Sequence, residues 1–314
     1  MALVRGWRQK MSGKSVWNAY SSLSAFFRDA ALADLLSTSP CILTKRQLGS
    51  KEPRDPEFRA SAVFTRVELE QLISDERIPM DRRVLYALGG LAGLRHGESA
   101  GLRFRNCAMP ADPLAMIYVA FSNGRAYPKG GRCRPVPVHP TLAAILAEWR
   151  LAGWPKMMGR EPTADDLVLP VPADAEARPG EMRTRQYSGD RFERDLATLG
   201  LRHRRGHDLR RTFISLTRSD GARADVLRRV THKPPPEVFE GYTTFEWPVV
   251  CAEVAKLNVH RRRTADVIAL PKAAAGGLLH SCYNVNPTAR NDWKSRVALP
   301  GLEPGTRGQP QRCA

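Results

Sequence analysis

"HDLRRTF", residues 207–213, sets a histidine and two arginines at the head of a helix-like segment. His207 and Arg210 are three residues apart and share one face of a helix. Arg211 is turned about 100° away from Arg210, following from roughly 3.6 residues per turn. Like charges repel, so the ordinary reading of this run is a solvated helix face. The sharper reading is a polyanion partner, because a planar guanidinium donates paired hydrogen bonds to phosphate oxygens. An HxxR spacing alone has little specificity, and the rest of the chain decides between the two.

Composition favours the second reading. The chain has 314 residues, enough for one large or two ordinary domains, and at 42% hydrophobic it can bury a core. Lys and Arg number 49 against 32 Asp and Glu, a formal charge of +17 spread along the whole length. Such an excess points to nucleic acid first and to an anionic membrane surface second. The longest apolar run, "VLYALGGLAGL" at 84–94, is about half of the ~20 residues a spanning helix needs. The opening "MALVRGWRQKMSGKS" lacks the apolar stretch of a signal peptide, so a cytoplasmic protein without membrane contact is expected. Cysteines 41, 107, 133, 251, 282 and 313 are scattered, with no CxxC and no zinc-ligand spacing. Neither disulfides nor a metal is expected.

Working outward along the chain, "SVWNAYSSLSAFFRDAALADLL" carries Val16, Tyr20, Leu23, Phe27 and Ala30 at alternating spacings of four and three. That predicts an amphipathic helix, with Ser15 as its N-cap and Pro40 beyond its end. "GSKEPRDPEFRA" (49–60) reads as a linker, and Thr65 with Glu68 forms a capping box that opens the next helix. Helices follow over 81–93 and 97–103. Two strands follow at 114–122 and 134–139, with "KGGR" at their turn and a helix from Pro140 through Trp149. Residues 152–181, rich in Pro, Ala and Gly, read as a long surface loop, and helical patterning resumes from 188. The expected organisation is a short helical region over 1–50, a linker over 51–62, a mainly α domain with a small antiparallel sheet over 63–262, and a disordered tail over 263–314.

Six residues along this path are individually unremarkable: Arg95 in "GLRHGES", Lys129 in "PKGGR", His207 and Arg210, His232 in "VTHKPPP", and Tyr242 in "FEGYTTF". Together they supply the parts of one reaction. Breaking a DNA phosphodiester by transesterification needs a nucleophile on phosphorus, cations for the nonbridging oxygens and an acid for the leaving 5′ oxygen. No metal or cofactor is required if arginines and histidines provide the charge. His232 and Tyr242 lie ten residues apart, close enough for one loop to bring both to a pocket.

At these residues the chain resembles the tyrosine recombinases, or phage-type integrases. "AGLRHGESAGLRF" resembles the family's first-arginine box, with Arg95 as the arginine and Glu98 as its supporting acid. "YPKGGRCRPVPVHP" is similar to the β-hairpin that delivers a catalytic lysine, here Lys129, and "HDLRRTF" matches the HxxR box. "DGARADVLRRVTHKPPPEVFEGYTTF" is similar to the segment from the last histidine, His232, to the nucleophile, Tyr242. The four boxes stand in the family's order over roughly residues 64–260.

The resemblance implies the tyrosine-recombinase catalytic fold and a 3′-phosphotyrosyl intermediate on Tyr242. Arg95 and Arg210 would hold nonbridging oxygens, with His207 and His232 assisting. Lys129 would protonate the leaving oxygen. Lys129, Arg132, Arg134 and Arg211 are expected to bind DNA. The expected partners are double-stranded DNA, further copies of the chain as a homotetramer on paired sites, and an accessory DNA-bending protein.

Two departures stand out: "VTH" replaces the family's "LGH", and only about 60 residues precede the catalytic region. Those residues look like the latter half of a core-binding domain, as in an abbreviated version or one that has lost its start. The competing readings are a type IB topoisomerase-like enzyme and a DNA-binding prophage remnant without activity. "PVVCAEVAKLNV" after Tyr242 reads as a helix with Val250, Val254 and Leu257 on one face, docked either on a neighbouring copy or on its own domain.

Overall fold

The computed structural model describes residues 2–51, 61–109, 112–122, 133–176, 178–231 and 244–262. The linker, the hairpin turn with Lys129 and Arg132, the segment with His232 and Tyr242, and the tail lie outside the described residues.

The N-terminal region packs α1 (Ala2–Lys10) against α2 (Gly13–Leu32), with the single turn α3 (Lys45–Leu48) beside them. Its apolar cluster is its own, made of Val4, Val16, Tyr20 and Leu48. Tyr20 also accepts a hydrogen bond from the Leu43 backbone at 2.7 Å, which folds the following segment back onto α2. The N-cap of α2 is Ser12, whose hydroxyl accepts from the Ser15 amide, so the helix begins one turn before the position expected from Ser15. It stops at Leu32, where Asp34 takes a positive φ of 56°. Helix α1 was not legible in the chain's basic opening. One buried valine in nine residues leaves almost no apolar period to read.

The larger region starts at α4 (Arg66–Ser74), capped as the sequence indicates: the Thr65 amide donates to Glu68 at 2.7 Å and the Glu68 amide to the Thr65 hydroxyl at 3.2 Å. Its core forms around α5 (Met80–Ala92), which packs against α4, against α7 (Pro140–Glu148) and most extensively against α10 (Gly206–Ser219). Close approach explains the glycine pair in α5: a Cβ at Gly90 would stand 2.6 Å from Leu69 of α4. The helix ends at Gly93 in the left-handed region, φ +64°, where only glycine avoids both backbone strain and a collision with Phe213. That turn delivers Arg95 to the start of the short helix α6 (His96–Ala100).

A three-stranded antiparallel sheet follows, in the order β1 (Cys107–Ala108), β2 (Met116–Val119), β3 (Arg134–Pro137). Val119 pairs with Arg134 and Met116 with Pro137, so β2 and β3 form the expected hairpin in shorter form. The first strand, two residues long, carries no period of its own. Prolines 135 and 137 suit β3, which is an edge strand in this order.

The stretch expected as a surface loop is partly core. After α7 the chain widens into a π turn (Trp149–Gly153) and continues as α8 (Trp154–Met158). The Trp149 and Trp154 indoles donate to the carbonyls of Val168 and Leu167 at 2.7 and 3.0 Å. Val168 and Leu169 are fully buried. The short apolar run "LVLPV" (167–171) was hidden within a Pro- and Ala-rich context.

Helices α9 (Arg185–Thr198), α10, α11 (Ala224–Thr231) and α12 (Trp247–Ala255) complete the fold. Helix α12 packs on α11 and β3 of its own chain, and Val254, Leu257 and Val259 join the main core. Polar ties fix the segment beyond it: His139 Nε2 donates to Leu257 O at 2.7 Å, and Asp220 accepts from the Asn258 amide at 2.7 Å. Of the two ways the "PVVCAEVAKLNV" face could dock, the chain adopts packing on its own domain.

Candidate phosphate-binding site

Three arginines converge on one buried carboxylate. Glu98 lies in α6, three residues after Arg95, and only 2% of it is exposed. It accepts from the Arg95 amide at 2.8 Å and from Arg95 Nη1 at 3.0 Å. Arg134, at the first position of β3, forks onto both oxygens, Nη1 to Oε1 at 3.0 Å and Nη2 to Oε2 at 2.9 Å. Arg210 approaches from α10, with Nη1 3.8 Å from Oε2. Burial alone would raise the Glu98 pKa. The Arg134 fork, the Arg95 amide and Arg210 outweigh it and hold the carboxyl below its ordinary value, so Glu98 is ionised.

Arg210 is the unusual member. It is 2% exposed, yet its Nη2 has no hydrogen-bond partner. Nη1 donates to the carbonyl of Gly93, the residue that ends α5. Burial, with Arg95 and Arg134 nearby, pulls its pKa down to about 9 against the opposing pull of Glu98, which still leaves it charged at neutral pH. A buried cationic donor without an acceptor is unfavourable by itself and marks a place where an anion fits.

The flanking residues agree with that reading. His207 stands in the exposed first turn of α10. Partial desolvation, then Arg210, Arg211 and Arg95, push its pKa below the usual histidine value, so the imidazole is neutral near pH 7. A neutral ring can accept a proton or donate one hydrogen bond, as its tautomer dictates. Asp208 caps the same helix, accepting from the Arg205 amide at 2.8 Å and from Arg211 Nη1 at 3.0 Å. Arg211 is thereby directed along α10 and away from the Glu98 cluster, as its angular offset from Arg210 requires.

Solved structures show what backbone surrounds this site. The integrase of transposon Tn1549, in complex with a circular intermediate DNA, aligns with 81% of this chain and 82% of its own at a TM-score of 0.56 and 16% identity. A lambda integrase dimer bound to a core site aligns with 78% of this chain and 81% of its own, at a TM-score of 0.53 and 17% identity. This chain has the tyrosine-recombinase fold. A lambda integrase tetramer bound to a Holliday junction matches at the same TM-score, 0.53, and 18% identity, with 78% of this chain and 65% of that chain covered. No protein-family model and no curated protein sequence matches the chain.

Within the tyrosine-recombinase fold, the described residues bring together Arg95, Glu98, His207 and Arg210 from the sequence reading. Lys129, Arg132, His232 and Tyr242 lie outside them. Arg134 needs correction: it was expected on the DNA-binding surface, but it is 6% exposed and its guanidinium is committed to Glu98 and to Val230 O at 2.6 Å. The strand period held the clue. With Val136 buried and Pro135 outward, a two-residue alternation turns Arg134 inward as well. The Gly93 carbonyl and the pairing of His96 Nε2 with the Ser188 hydroxyl at 2.8 Å were not legible, since both depend on contacts between distant segments. Among the described residues no His, Cys, Asp and Glu cluster could hold a metal ion, and no helix is long and apolar enough to cross a membrane.

Proposed function

We propose that this chain is a site-specific DNA recombinase that cleaves and rejoins DNA through a 3′-phosphotyrosyl intermediate. The observation that carries the reading is the unpartnered Nη2 of Arg210, buried beside Arg95 and His207 in a chain with this fold and a charge of +17. In the mechanism, the Tyr242 oxygen attacks the scissile phosphorus as the bond to the 5′ oxygen breaks. The diester carries one negative charge, and attack by a phenolate adds a second at the transition state. Arg210 and Arg95 stabilise it by donating to the nonbridging oxygens, an interaction that strengthens as charge develops. His207 and His232 add hydrogen bonds and help to move protons. Lys129 gives its proton to the departing 5′ oxygen. The covalent link conserves the phosphodiester, so a second 5′ hydroxyl can displace Tyr242 without ATP.

Recombination also needs partners: double-stranded DNA, a homotetramer on paired sites, and an accessory bending protein where the site must be wrapped. The integrases with similar folds support the first two by their titles, which place a dimer on a core site and a tetramer on a Holliday junction. The own-domain packing of α12 favours a second reading, a monomeric strand-passage enzyme that uses the same chemistry. Both are tested by incubating the full chain with nicked suicide duplexes from candidate attachment sites and with supercoiled plasmid. A covalent adduct mapping to Tyr242, lost in Tyr242→Phe, with strand exchange between paired sites, is expected. Plasmid relaxation without exchange selects the second reading, and absence of any adduct overturns both.

A further inference from the structure

Arg134 is buried, charged and unassigned in the chemistry above. Its three anchors are on different elements: Glu98 Oε1 at 3.0 Å and Oε2 at 2.9 Å on α6, and the Val230 carbonyl at 2.6 Å near the end of α11. An ionised carboxylate offers about four acceptor positions. Glu98 fills them with the Arg134 fork, the Arg95 amide and Arg95 Nη1. Arg210 is left 3.8 Å from the nearest oxygen of Glu98, beyond hydrogen-bond reach, with Nη2 unpartnered.

We infer that Arg134 is a positioning residue: by saturating Glu98 it prevents that carboxylate from capturing Arg210 and keeps Arg210 Nη2 available to an incoming phosphate. This rests on the reading of Arg95, Arg210 and His207 as the phosphate site. Without Arg134, two acceptor positions on a buried anion would be empty, which is unfavourable. The nearest guanidinium with an unused donor is that of Arg210. A shift of roughly an ångström would close the 3.8 Å gap, pair Arg210 with Glu98 and remove its donors from the phosphate. Arg134 also sets the charge of the site. Three guanidinium groups against one carboxylate leave two net positive charges, matching the two negative charges of the transition state. Because Arg134 itself is buried, it touches no DNA.

The argument makes the effect of Arg134 depend on the charge of Glu98, which a packing role would not. The test is a double-mutant cycle on the full chain with Arg134→Met, Glu98→Gln and both together. Two readouts are used: affinity for inorganic phosphate by calorimetric titration, and single-turnover adduct formation on a suicide duplex at saturating protein. With Glu98 intact, Arg134→Met is expected to weaken phosphate binding at least tenfold and to slow adduct formation roughly 100-fold, the scale of losing one preorganised donor. DNA affinity should change less than about twofold, because no phosphate contact is lost. In the Glu98→Gln background the same substitution should change either readout by less than about threefold.

Equal losses in both backgrounds would overturn the inference and leave Arg134 a structural brace. If Arg134→Met does not fold, Arg134→Lys runs the same cycle, since one ammonium cannot cover both oxygens of Glu98. The failure of the recombinase reading is distinguishable. Phosphate binding that follows the cycle without any wild-type adduct sinks that reading and keeps this one, whereas adduct formation without the cycle does the reverse.

Discussion

Replacing Arg210 by methionine should make the protein more stable and nearly inactive at once. Methionine keeps most of the buried stem volume and removes the guanidinium. In the folded chain that group is held at a pKa of about 9 against an ordinary 12.5, chiefly by burial. The sign is clear: a base whose folded pKa is depressed binds its proton less well when folded, so its charge opposes folding. The opposition is fully present below about pH 9 and fades as pH rises through the interval to 12.5. At about 1.4 kcal/mol per unit, the depression corresponds to ~5 kcal/mol at most. The lost Gly93 hydrogen bond and imperfect repacking offset ~1–3 kcal/mol of it.

Arg210→Met should therefore gain on the order of 2 kcal/mol in urea melts at pH 7, in buffer free of phosphate and sulfate. Added phosphate should stabilise the wild type and leave the variant unchanged. Adduct formation under single turnover should fall by roughly 10²–10³, the scale of one oxyanion donor. A variant less stable than wild type by ~2 kcal/mol or more would show that the guanidinium is satisfied in the folded protein. Cleavage at the wild-type rate would show that Arg210 takes no part in binding the phosphate.

Neutral His207, with its pKa depressed, should give a cleavage rate that stays flat from pH 8 to below 6.5 and falls only as the imidazole protonates; His207→Gln should remove that acid limb. A fall already centred above pH 6.5 would contradict its placement beside Arg210 and Arg95. Leu257→Ala, at a site 2% exposed in the main core, should destabilise the isolated chain by about 2–5 kcal/mol and lower adduct formation with it, whereas docking on a neighbour would leave the monomer's melt unchanged. DNA affinity, measured by fluorescence anisotropy from 50 to 200 mM salt, should fall steeply because each neutralised phosphate releases counterions. A flat salt dependence would refute a phosphate-dominated interface.

How much of this was legible in the chain depends on how local each signal is. The Thr65–Glu68 capping box, the α5 period ending at Gly93, and the three-residue spacing of His207 and Arg210 are determined within a turn or two of helix, and the structure reproduces them. The exposed side of the site was therefore readable as a row of cations. Its buried side was not. Whether Arg134 meets DNA or Glu98 depends on which residue stands opposite it, 36 positions away in the chain. The face of α12 is apolar whether it meets its own domain or another copy. Local sequence specifies conformation and which faces are apolar, but an ion pair or a docking choice is a difference in energy between alternative long-range contacts. Only the assembled core sets that difference, by deciding which charges lose water and which partner remains within reach.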